Sequence, residues 1–281
     1  MSSAYSWDVY AESLTYLGYG YPLWCPDTWN NGKPWDLNVG DVGWLRNGQF
    51  CPLLRTTATD AAQQPFRTLP EGHSPLVMAR GALSEYPERF SRPTIFHSNT
   101  INTSMVMGEV SVSPADFGIG GSFSFKSVEG KGALLMLSPR AEETIFQSAT
   151  TVVNYMRANH KKWEDFANDP HGLGLNLEPE DIIFVTGMIK TVDWGITTFT
   201  SMQREVEASI SCTLGGVGSA SISAHVTNRS ATNLYPKAGP SSSWGPSAAS
   251  SQSPPKADQC IFLHYYKLKR RAILGMPPRF E

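Results

Sequence analysis

Four basic residues form the densest cluster of charge near the carboxyl end of the chain: Lys267, Lys269, Arg270 and Arg271. The formal net charge of the whole chain is only −2, so binding of an anion has to depend on such a local cluster. A basic residue near an anionic membrane surface contributes about 1 kcal/mol to binding, and four would contribute about 4 kcal/mol. The cluster therefore predicts a contact with acidic phospholipid; the alternative is a solubilising strand end.

Motifs for catalysis, metal binding and nucleotide binding do not occur in the sequence. There is no phosphate-binding loop, no GxGxxG, no HExxH and no GxSxG. The six histidines lack metal-ligand spacing, and the cysteines at positions 25, 51, 212 and 260 form no CxxC. We therefore expect no enzyme activity, no metal, no cofactor and no nucleic-acid partner. The alternative is an enzyme of unrecognised chemistry, which would need a pocket with convergent polar groups.

Residues 206–226 alternate between apolar and small polar side chains on both sides of a Gly-Gly-Val-Gly turn. Successive side chains of a strand point to opposite faces, so this pattern predicts a hairpin with one apolar and one polar face. Each arm has about the 9–11 residues that a tilted strand needs to cross a bilayer. The apolar positions are therefore predicted to insert into a membrane, unless the hairpin belongs to an ordinary half-buried sheet. They are Val206, Ala208, Ile210, Ile222, Ala224 and Val226.

A second hairpin with the same pattern is predicted earlier in the chain. Valines alternate with other residues before a Ser-Pro-Ala-Asp turn, where the proline ends the strand. After that turn, Phe117, Ile119, Phe123 and Phe125 alternate with small polar residues and a lysine. We predict that these four residues form the apolar face of a second membrane-inserting hairpin.

The remaining patterns predict an α+β fold. Short apolar or Thr/Trp/Phe-rich runs predict strands at residues 133–137, 182–186, 190–201 and 259–267. A helix is predicted to begin at Ser138-Pro139, with a serine N-cap, a proline at the first helical position and two glutamates in the first turns. We expect one domain, residues 1–281, built on a twisted, mainly antiparallel sheet with two amphipathic hairpins and flanking helices.

Three segments differ from the rest in composition. Residues 1–60 are rich in Trp, Pro and Gly. They are expected to fill a small loop-rich core, with Asn47-Gly48 as a hairpin turn; the alternative is a carbohydrate-binding face. Residues 56–93 are expected to be a long connection, and the Ser/Pro-rich residues 229–257 a flexible loop.

The amino-terminal residues have neither the basic nor the apolar region of a signal peptide. No run of apolar residues reaches the length of a membrane helix, about 20 residues. We therefore expect a cytoplasmic protein that reaches a membrane only after folding, through a structural change.

Several segments resemble a large set of uncharacterised proteins of mushroom-forming fungi: YPLWCP, NVGDVGWLRNGQFCPLL, GKGALLML, IIFVTGMIKTVDWGITTF and DQCIFLHYYKLKRR. These segments cover most of the chain, and the spacing between Val185–Gly187 and Trp194–Gly195 is fairly specific. This resemblance implies no activity.

The order of elements is similar to the pore-forming domain of gasdermins, including the short fungal ones. In both, an amphipathic hairpin leads through a short strand and a helix to a long strand, a second amphipathic hairpin, a loop and a closing strand. The resemblance implies a cell-death or defence protein that forms homo-oligomers on acidic lipid and extends both hairpins into a membrane pore. It also implies control by a protease or an inhibitory partner. The alternative function is a soluble β-rich binding module, lectin-like or for protein interaction.

Overall fold

Strands dominate the computed structural model of the chain, which describes residues 5–102, 121–127, 129–137, 140–201, 206–213, 221–226, 232–240, 256–269 and 279–280. Within these ranges there are two α-helices, α1 (Ser6–Leu14) and α2 (Ala149–Asn168). Short 3₁₀ turns lie at Thr15–Leu17, Ala61–Gln63 and Pro179–Asp181. The strands are β1 (Tyr21–Pro22), β2 (Trp29–Asn30), β3 (Lys33–Pro34), β4 (Asp41–Arg46), β5 (Gln49–Arg55), β6 (Leu83–Phe90), β7 (Thr94–His97), β8 (Ile101–Asn102), β9 (Gly121–Ser127), β10 (Lys131–Leu137), β11 (Ala141–Phe146), β12 (Ile183–Thr191), β13 (Trp194–Ser201), β14 (Val206–Thr213), β15 (Ser221–Val226), β16 (Thr232–Gly239), β17 (Gln259–Lys269) and β18 (Arg279–Phe280).

The fold class is α+β with a mainly antiparallel arrangement of strands, as predicted from the sequence. The neighbouring strands of each sheet run antiparallel to one another. The predicted buried and Thr/Trp/Phe-rich strands are confirmed as β10, β12, β13 and β17. The predicted hairpin turn is also confirmed, because Asn47 and Gly48 join β4 to β5 with φ angles of 53° and 73°. Such left-handed angles at both central positions are typical of a two-residue hairpin turn.

Four passes of the chain build three successive sheets. The first sheet has eight strands, with the order β1-β17-β12-β11-β6 and with β4, β5 and β18 joined beside this path; the second sheet has the order β16-β13-β10-β7 and the third β15-β14-β9-β8. Strands at corresponding positions of the three sheets follow one another along the chain. The four groups are β6 to β8, β9 to β11, β12 to β14, and β15 to β17. The third sheet is therefore the continuation of the second sheet, strand by strand.

Each helix packs on a different part of these sheets. Helix α2 buries Val152, Met156 and Trp163 against the first sheet, where the Trp163 ring stacks on Phe184 with ring centroids 6.1 Å apart. Apolar residues at this spacing line one side of a helix, so α2 is held by burial of that side. Helix α1 belongs to a second buried cluster that includes residues of the first and second sheets.

The helix that was predicted to begin at Ser138-Pro139 begins later. Ser138 and Pro139 lie outside the described residues, and Glu142 and Glu143 belong to strand β11, not to the first turns of a helix. Strand β11 pairs with both β6 and β12, and this pairing on two sides outweighs a local helix-start signal. Helix α2 begins at Ala149, where Ser148 is the N-cap and accepts a hydrogen bond from the backbone N–H of Thr151.

The other loop predictions were also wrong in part. Within the segment 229–257, strand β16 pairs with the whole length of β13, so the prediction of a flexible loop is wrong for those residues. Residues 229–231 and 241–255 lie outside the described part of the chain. Residues 83–90 of the predicted long connection form strand β6, and residues 6–14 of the Trp-rich segment form helix α1. Pairing with a distant strand explains β6 and β16, because such pairing leaves little periodicity in the sequence of an edge strand.

Candidate functional site

The predicted apolar positions of the two hairpins meet in register across β9, β14 and β15. Phe123 lies opposite Ile210, and Ile210 lies opposite Ala224. Residues directly opposite each other in an antiparallel pair lie on the same face of the sheet. The register therefore assigns the described apolar positions of both hairpins to one face of the third sheet. The remaining pairs are Phe125 with Ala208, Ala208 with Val226, Cys212 with Ile222, and Val206 with Ser127; Phe117 and Ile119 lie outside the described residues.

The polar positions of the same three strands also meet in register. Ser211 lies opposite Ser122 on β9 and Ser223 on β15. Glu207 on β14 lies opposite Lys126 on β9, and residues of opposite charge at such positions stabilise a strand pair by roughly 0.2–1 kcal/mol. One face of the third sheet is thus defined by small polar positions and one pair of opposite charges.

The two predicted hairpins are neighbours. Strand β14 of the second hairpin pairs with β9 of the first hairpin over seven residue pairs, from Val206 with Ser127 to Cys212 with Gly121. The described strands of the two predicted hairpins, β9, β14 and β15, therefore lie in one sheet with β8; the other predicted arm of the first hairpin lies outside the described residues. Alternation within each hairpin could not predict this, because the pairing joins segments that are far apart in the sequence.

Helix α1 covers the second sheet, next to the hairpins. Its residues Tyr10 and Leu14 are fully buried in one cluster with Leu135 of β10 and Ile196 of β13. Leu135 is an even number of residues away from Phe123 and Phe125 along the chain. Ile196 is likewise an even number of residues away from Ala208 and Ile210. In the sequence, the residues that α1 covers in the second sheet and the apolar positions of the third sheet thus belong to the same alternation.

Polar contacts at the end of α1 hold it on the second sheet. The ammonium of Lys131 on β10 contacts both carboxylate oxygens of Glu12, at 2.8 and 2.9 Å. The hydroxyl of Tyr16, just after the helix, donates to the carbonyl of His97 at the end of β7. In contrast, the buried hydroxyl of Tyr10 has no hydrogen-bond partner among the residues that the structure describes, and burial raises the pKa of this side chain. Sequence reasoning missed α1, although the spacing of Tyr10 and Leu14 is helical.

The described part of the basic cluster lies at the end of β12 that leads away from the hairpins. Lys267 on β17 is opposite Ile183 at the start of β12, whereas the second hairpin follows the other end of β12 through β13. Lys267 is half-buried and Lys269 is exposed, while Arg270 and Arg271 lie outside the described residues. The strand register thus separates Lys267 from the predicted inserting residues by the length of β12 and β13 along the chain.

Tryptophans of the amino-terminal segment contribute mainly to packing. Trp35 donates from Nε1 to Asp41 at 3.0 Å and lies under the guanidinium of Arg55, 4.4 Å from the ring centroid. Arg55 forms a salt bridge with the fully buried Asp41 at 3.0 Å, so this network closes the segment onto the core. Trp24 packs against the second buried cluster. No tryptophan in the described ranges is among the exposed large apolar side chains.

Features of other functional classes are few in the described part of the chain. No group of three or more His, Cys, Asp or Glu residues there could hold a metal ion. No helix in the described ranges is long and apolar enough to cross a membrane. A cleft of about 900 Å³ lies between α2 and residues 68–72, where the ammonium of Lys162 donates to the carbonyl of Gly72 at 2.9 Å. None of the predicted site residues lines it.

Comparison with known proteins adds no further site residue. Neither a protein-family model nor a curated protein matches the chain.

Proposed function

We propose that the chain is a pore-forming protein of the gasdermin type, which oligomerises on acidic lipid in cell death or defence. The register of β9, β14 and β15 carries this proposal. It places Phe123 and Phe125 of β9 opposite apolar residues of β14, and Ser122 and Ser124 opposite serines; Val206, opposite Ser127, is the exception. A sheet with this arrangement can turn one side to acyl chains and the other side to water.

Insertion of the hairpins requires more than one copy of the chain. Within the described residues, the third sheet ends at β15 on one side and at β8 on the other, and an edge strand has unpaired N–H and C=O groups. Each unpaired group costs several kcal/mol in the bilayer core, so the inserted sheet has to close on itself. Four strands are too few to enclose a water-filled channel. Neighbouring copies of the chain would therefore supply the other strands.

Insertion also requires longer strands. Strand β9 has 7 residues and β15 has 6, whereas a tilted strand needs about 9–11 residues to cross a bilayer. The second sheet supplies this length, because β10 follows β9 and β16 follows β15 along the chain. In the proposed membrane state, each strand of the third sheet and its neighbour along the chain in the second sheet become one long strand.

Recruitment and insertion are separate steps in this proposal. The basic cluster, Lys267, Lys269, Arg270 and Arg271, binds acidic phospholipid first. Because Lys267 lies opposite Ile183, at the end of β12 that leads away from β13 and the second hairpin, we expect that lipid binding alone does not place the hairpins in the bilayer. A protease or an inhibitory partner would control the rearrangement that follows, and the protein would be cytoplasmic before it.

Leakage from liposomes tests the proposal. The purified chain is mixed with dye-loaded liposomes, with and without anionic lipid, before and after limited proteolysis within residues 229–257. We expect dye release only from liposomes that contain anionic lipid. If the folded protein releases no dye in any of these states, pore formation is wrong. The binding module then becomes the better proposal, and a screen of glycans and protein partners would test it.

A further inference from the structure

A cysteine and a lysine from distant parts of the chain are in contact beside the second sheet. Lys237 on the edge strand β16 lies with its Nζ atom 2.9 Å from Sγ of Cys25. The same Nζ atom donates to the carbonyl of Trp24 at 3.4 Å. It also lies 5.6 Å from the centroid of the Trp24 ring and 5.7 Å from that of Trp194. The ammonium thus lies near two indole rings and donates to the sulfur.

The surroundings of the Cys25 sulfur differ from those of the Cys51 and Cys260 sulfurs. Cys260 is fully buried, and burial raises the pKa of its thiol to about 12. Burial also raises the pKa of the Cys51 thiol, whose sulfur accepts from the amide of Gln49. Cys25 and Cys51 are both half-buried, but the sulfur of Cys25 has a lysine ammonium within contact distance. Reactive cysteines are found in such partly exposed, electropositive surroundings, whereas buried cysteines are inert.

We propose that Cys25 and Lys237 form a covalent sulfur–nitrogen bond when the protein is oxidised by hydrogen peroxide. The thiolate sulfur attacks one peroxide oxygen, the O–O bond breaks, and a sulfenic acid and hydroxide form. The lysine nitrogen, after losing a proton to solvent, attacks the sulfenic sulfur, and the S–O bond breaks as the hydroxyl leaves. The two steps consume the thiolate, the ammonium and one peroxide, and give the sulfenamide and two waters. The sulfur is oxidised by two electrons and the peroxide is reduced.

The geometry favours this reaction over reaction with solvent. The reacting atoms are already 2.9 Å apart, and reacting atoms held about 3–3.5 Å apart gain a large rate advantage from proximity. The backbone fixes both partners. Cys25 donates from its N–H to the carbonyl of Gly48 at 3.0 Å, and Lys237 lies opposite Ile196 in the pairing of β16 with β13.

The bond would join the amino-terminal segment to the edge strand of the sheet next to the hairpins. Cys25 and Lys237 are 212 residues apart in the sequence, so the link closes a loop that includes both hairpins. If the chain forms pores as proposed above, this link holds β16 in the second sheet, and the oxidised protein releases less dye than the reduced protein. This consequence rests on the proposed function, whereas formation of the bond does not.

Mass spectrometry tests the bond directly. The folded full-length chain is treated with hydrogen peroxide, the remaining thiols are alkylated after denaturation, and the protein is digested. We expect a linked pair of peptides that contain Cys25 and Lys237, with two hydrogens fewer than the separate peptides. A thiol reductant should release it. Recovery of Cys25 as a disulfide with Cys51, or as an unlinked oxidised cysteine, would overturn the proposal.

Two variants and one condition serve as controls. Lys237→Arg keeps the positive charge but replaces the amine with a weakly nucleophilic guanidinium, so the linked peptides should be lost completely. Cys51→Ser should leave them unchanged; their loss in this variant would show that Cys51 is needed and would contradict the assignment. Wild-type protein oxidised in denaturant should give no link, because the contact is then absent. This last control does not depend on the folding of any variant.

If liposomes release no dye in either redox state, the proposed function fails while the linked peptides still establish the bond.

Discussion

Phe123 on β9 lies directly opposite Ile210 on β14. This pair joins the first predicted hairpin to the second, and Ile210 is also opposite Ala224 within the second hairpin. Ile210 is therefore the middle one of three apolar residues that lie side by side on adjacent strands. A charge at this position would lie in the middle of the proposed lipid-facing surface.

Ile210→Asp is expected to abolish dye release from anionic liposomes. A charged residue on the lipid side of a transmembrane strand costs on the order of 2 kcal/mol near the bilayer midplane, and each copy in the oligomer would add this cost. Ile222→Asp on β15, opposite Cys212, should have the same effect. Dye release is measured together with circular dichroism, so that loss of leakage is not confused with loss of folding.

Ser211→Asp is the matched control for this prediction. Ser211 is the residue next to Ile210 on the same strand and belongs to the polar series, opposite Ser122 and Ser223. A carboxylate at this position would face water in the proposed pore, so leakage should persist. Dye release that survives both Ile210→Asp and Ile222→Asp, with the protein folded, would argue against the lipid-facing assignment.

Neutralising the lysines at the end of β17 is expected to weaken membrane binding. With about 1 kcal/mol for each basic residue near an anionic surface, Lys267→Gln combined with Lys269→Gln should weaken vesicle binding about thirtyfold. The difference from wild type should shrink at high salt. Co-sedimentation with anionic vesicles measures it. Lys161 on α2 is an exposed lysine paired with Asp165, and the Lys161→Gln variant should bind vesicles like wild type. If this variant loses as much binding as the double variant at positions 267 and 269, the basic cluster has no special role in membrane binding.

The sequence predicts best where a local pattern decides the structure. The alternation around Ile210 predicts a strand with two different faces, and β14 pairs with β15 of the same hairpin, as predicted. The turn at Asn47 and Gly48 is also local, since both residues tolerate the left-handed backbone. In these cases the neighbours along the chain carry most of the information.

Distant partners explain the predictions that failed. Glu143 was predicted in a helix, but it lies in strand β11 and is buried against Arg89 of β6, with Nε and Oε2 3.0 Å apart. Thr232–Gly239 was predicted as loop and is instead the edge strand beside β13. The adjacency of the two hairpins depends on the pairing of β14 with β9. No local pattern contains these partners, because pairing of strands far apart in the sequence is decided by the whole fold.

Gly48→Ala is expected to destabilise the protein more than Gly32→Ala. Both glycines have a φ of 73°, where a side chain costs roughly 1–2 kcal/mol. A Cβ at position 48 would also meet the Cβ atoms of Trp24 and Trp7 at 2.5 and 2.6 Å, whereas a Cβ at position 32 has nothing within 4 Å. Urea unfolding should give a difference of about 1–3 kcal/mol between the two variants. Equal losses would show that the contacts at position 48 relax without cost.

Tyr10→Phe is expected to stabilise the protein by about 1 kcal/mol. The Tyr10 hydroxyl is fully buried and has no hydrogen-bond partner within the described ranges, and an unsatisfied buried group costs about 1–3 kcal/mol. Tyr16→Phe is the opposite control, because the Tyr16 hydroxyl donates to His97 and its loss should cost about 0.5–1.5 kcal/mol. Chemical denaturation of both variants measures the change. A loss of stability in Tyr10→Phe would mean that the hydroxyl has a partner in solution.

The stability of the protein is expected to fall as the pH is lowered through the ordinary pKa of histidine, 6.5. Burial lowers the pKa of His160, although its hydrogen bond to the carbonyl of Pro179 and the nearby Glu164 and Glu180 oppose this shift. The unfolded chain therefore binds a proton at a pH at which folded His160 is still neutral. The contribution of His160 to the free energy of unfolding is complete above pH 6.5. It decreases as the pH falls toward the lowered pKa of His160 in the folded protein. The slope for one such group is at most about 1.4 kcal/mol per pH unit.

His160→Gln tests this contribution, because the glutamine amide can still donate to the carbonyl of Pro179 but does not titrate. Urea unfolding at about pH 7.5 and about pH 5.5 should show a smaller loss of unfolding free energy in the variant than in wild type. Part of the slope should remain, because burial also lowers the pKa of His264, against the opposing effect of Glu143. If the variant and wild type lose the same free energy over this interval, His160 is not buried in its neutral form.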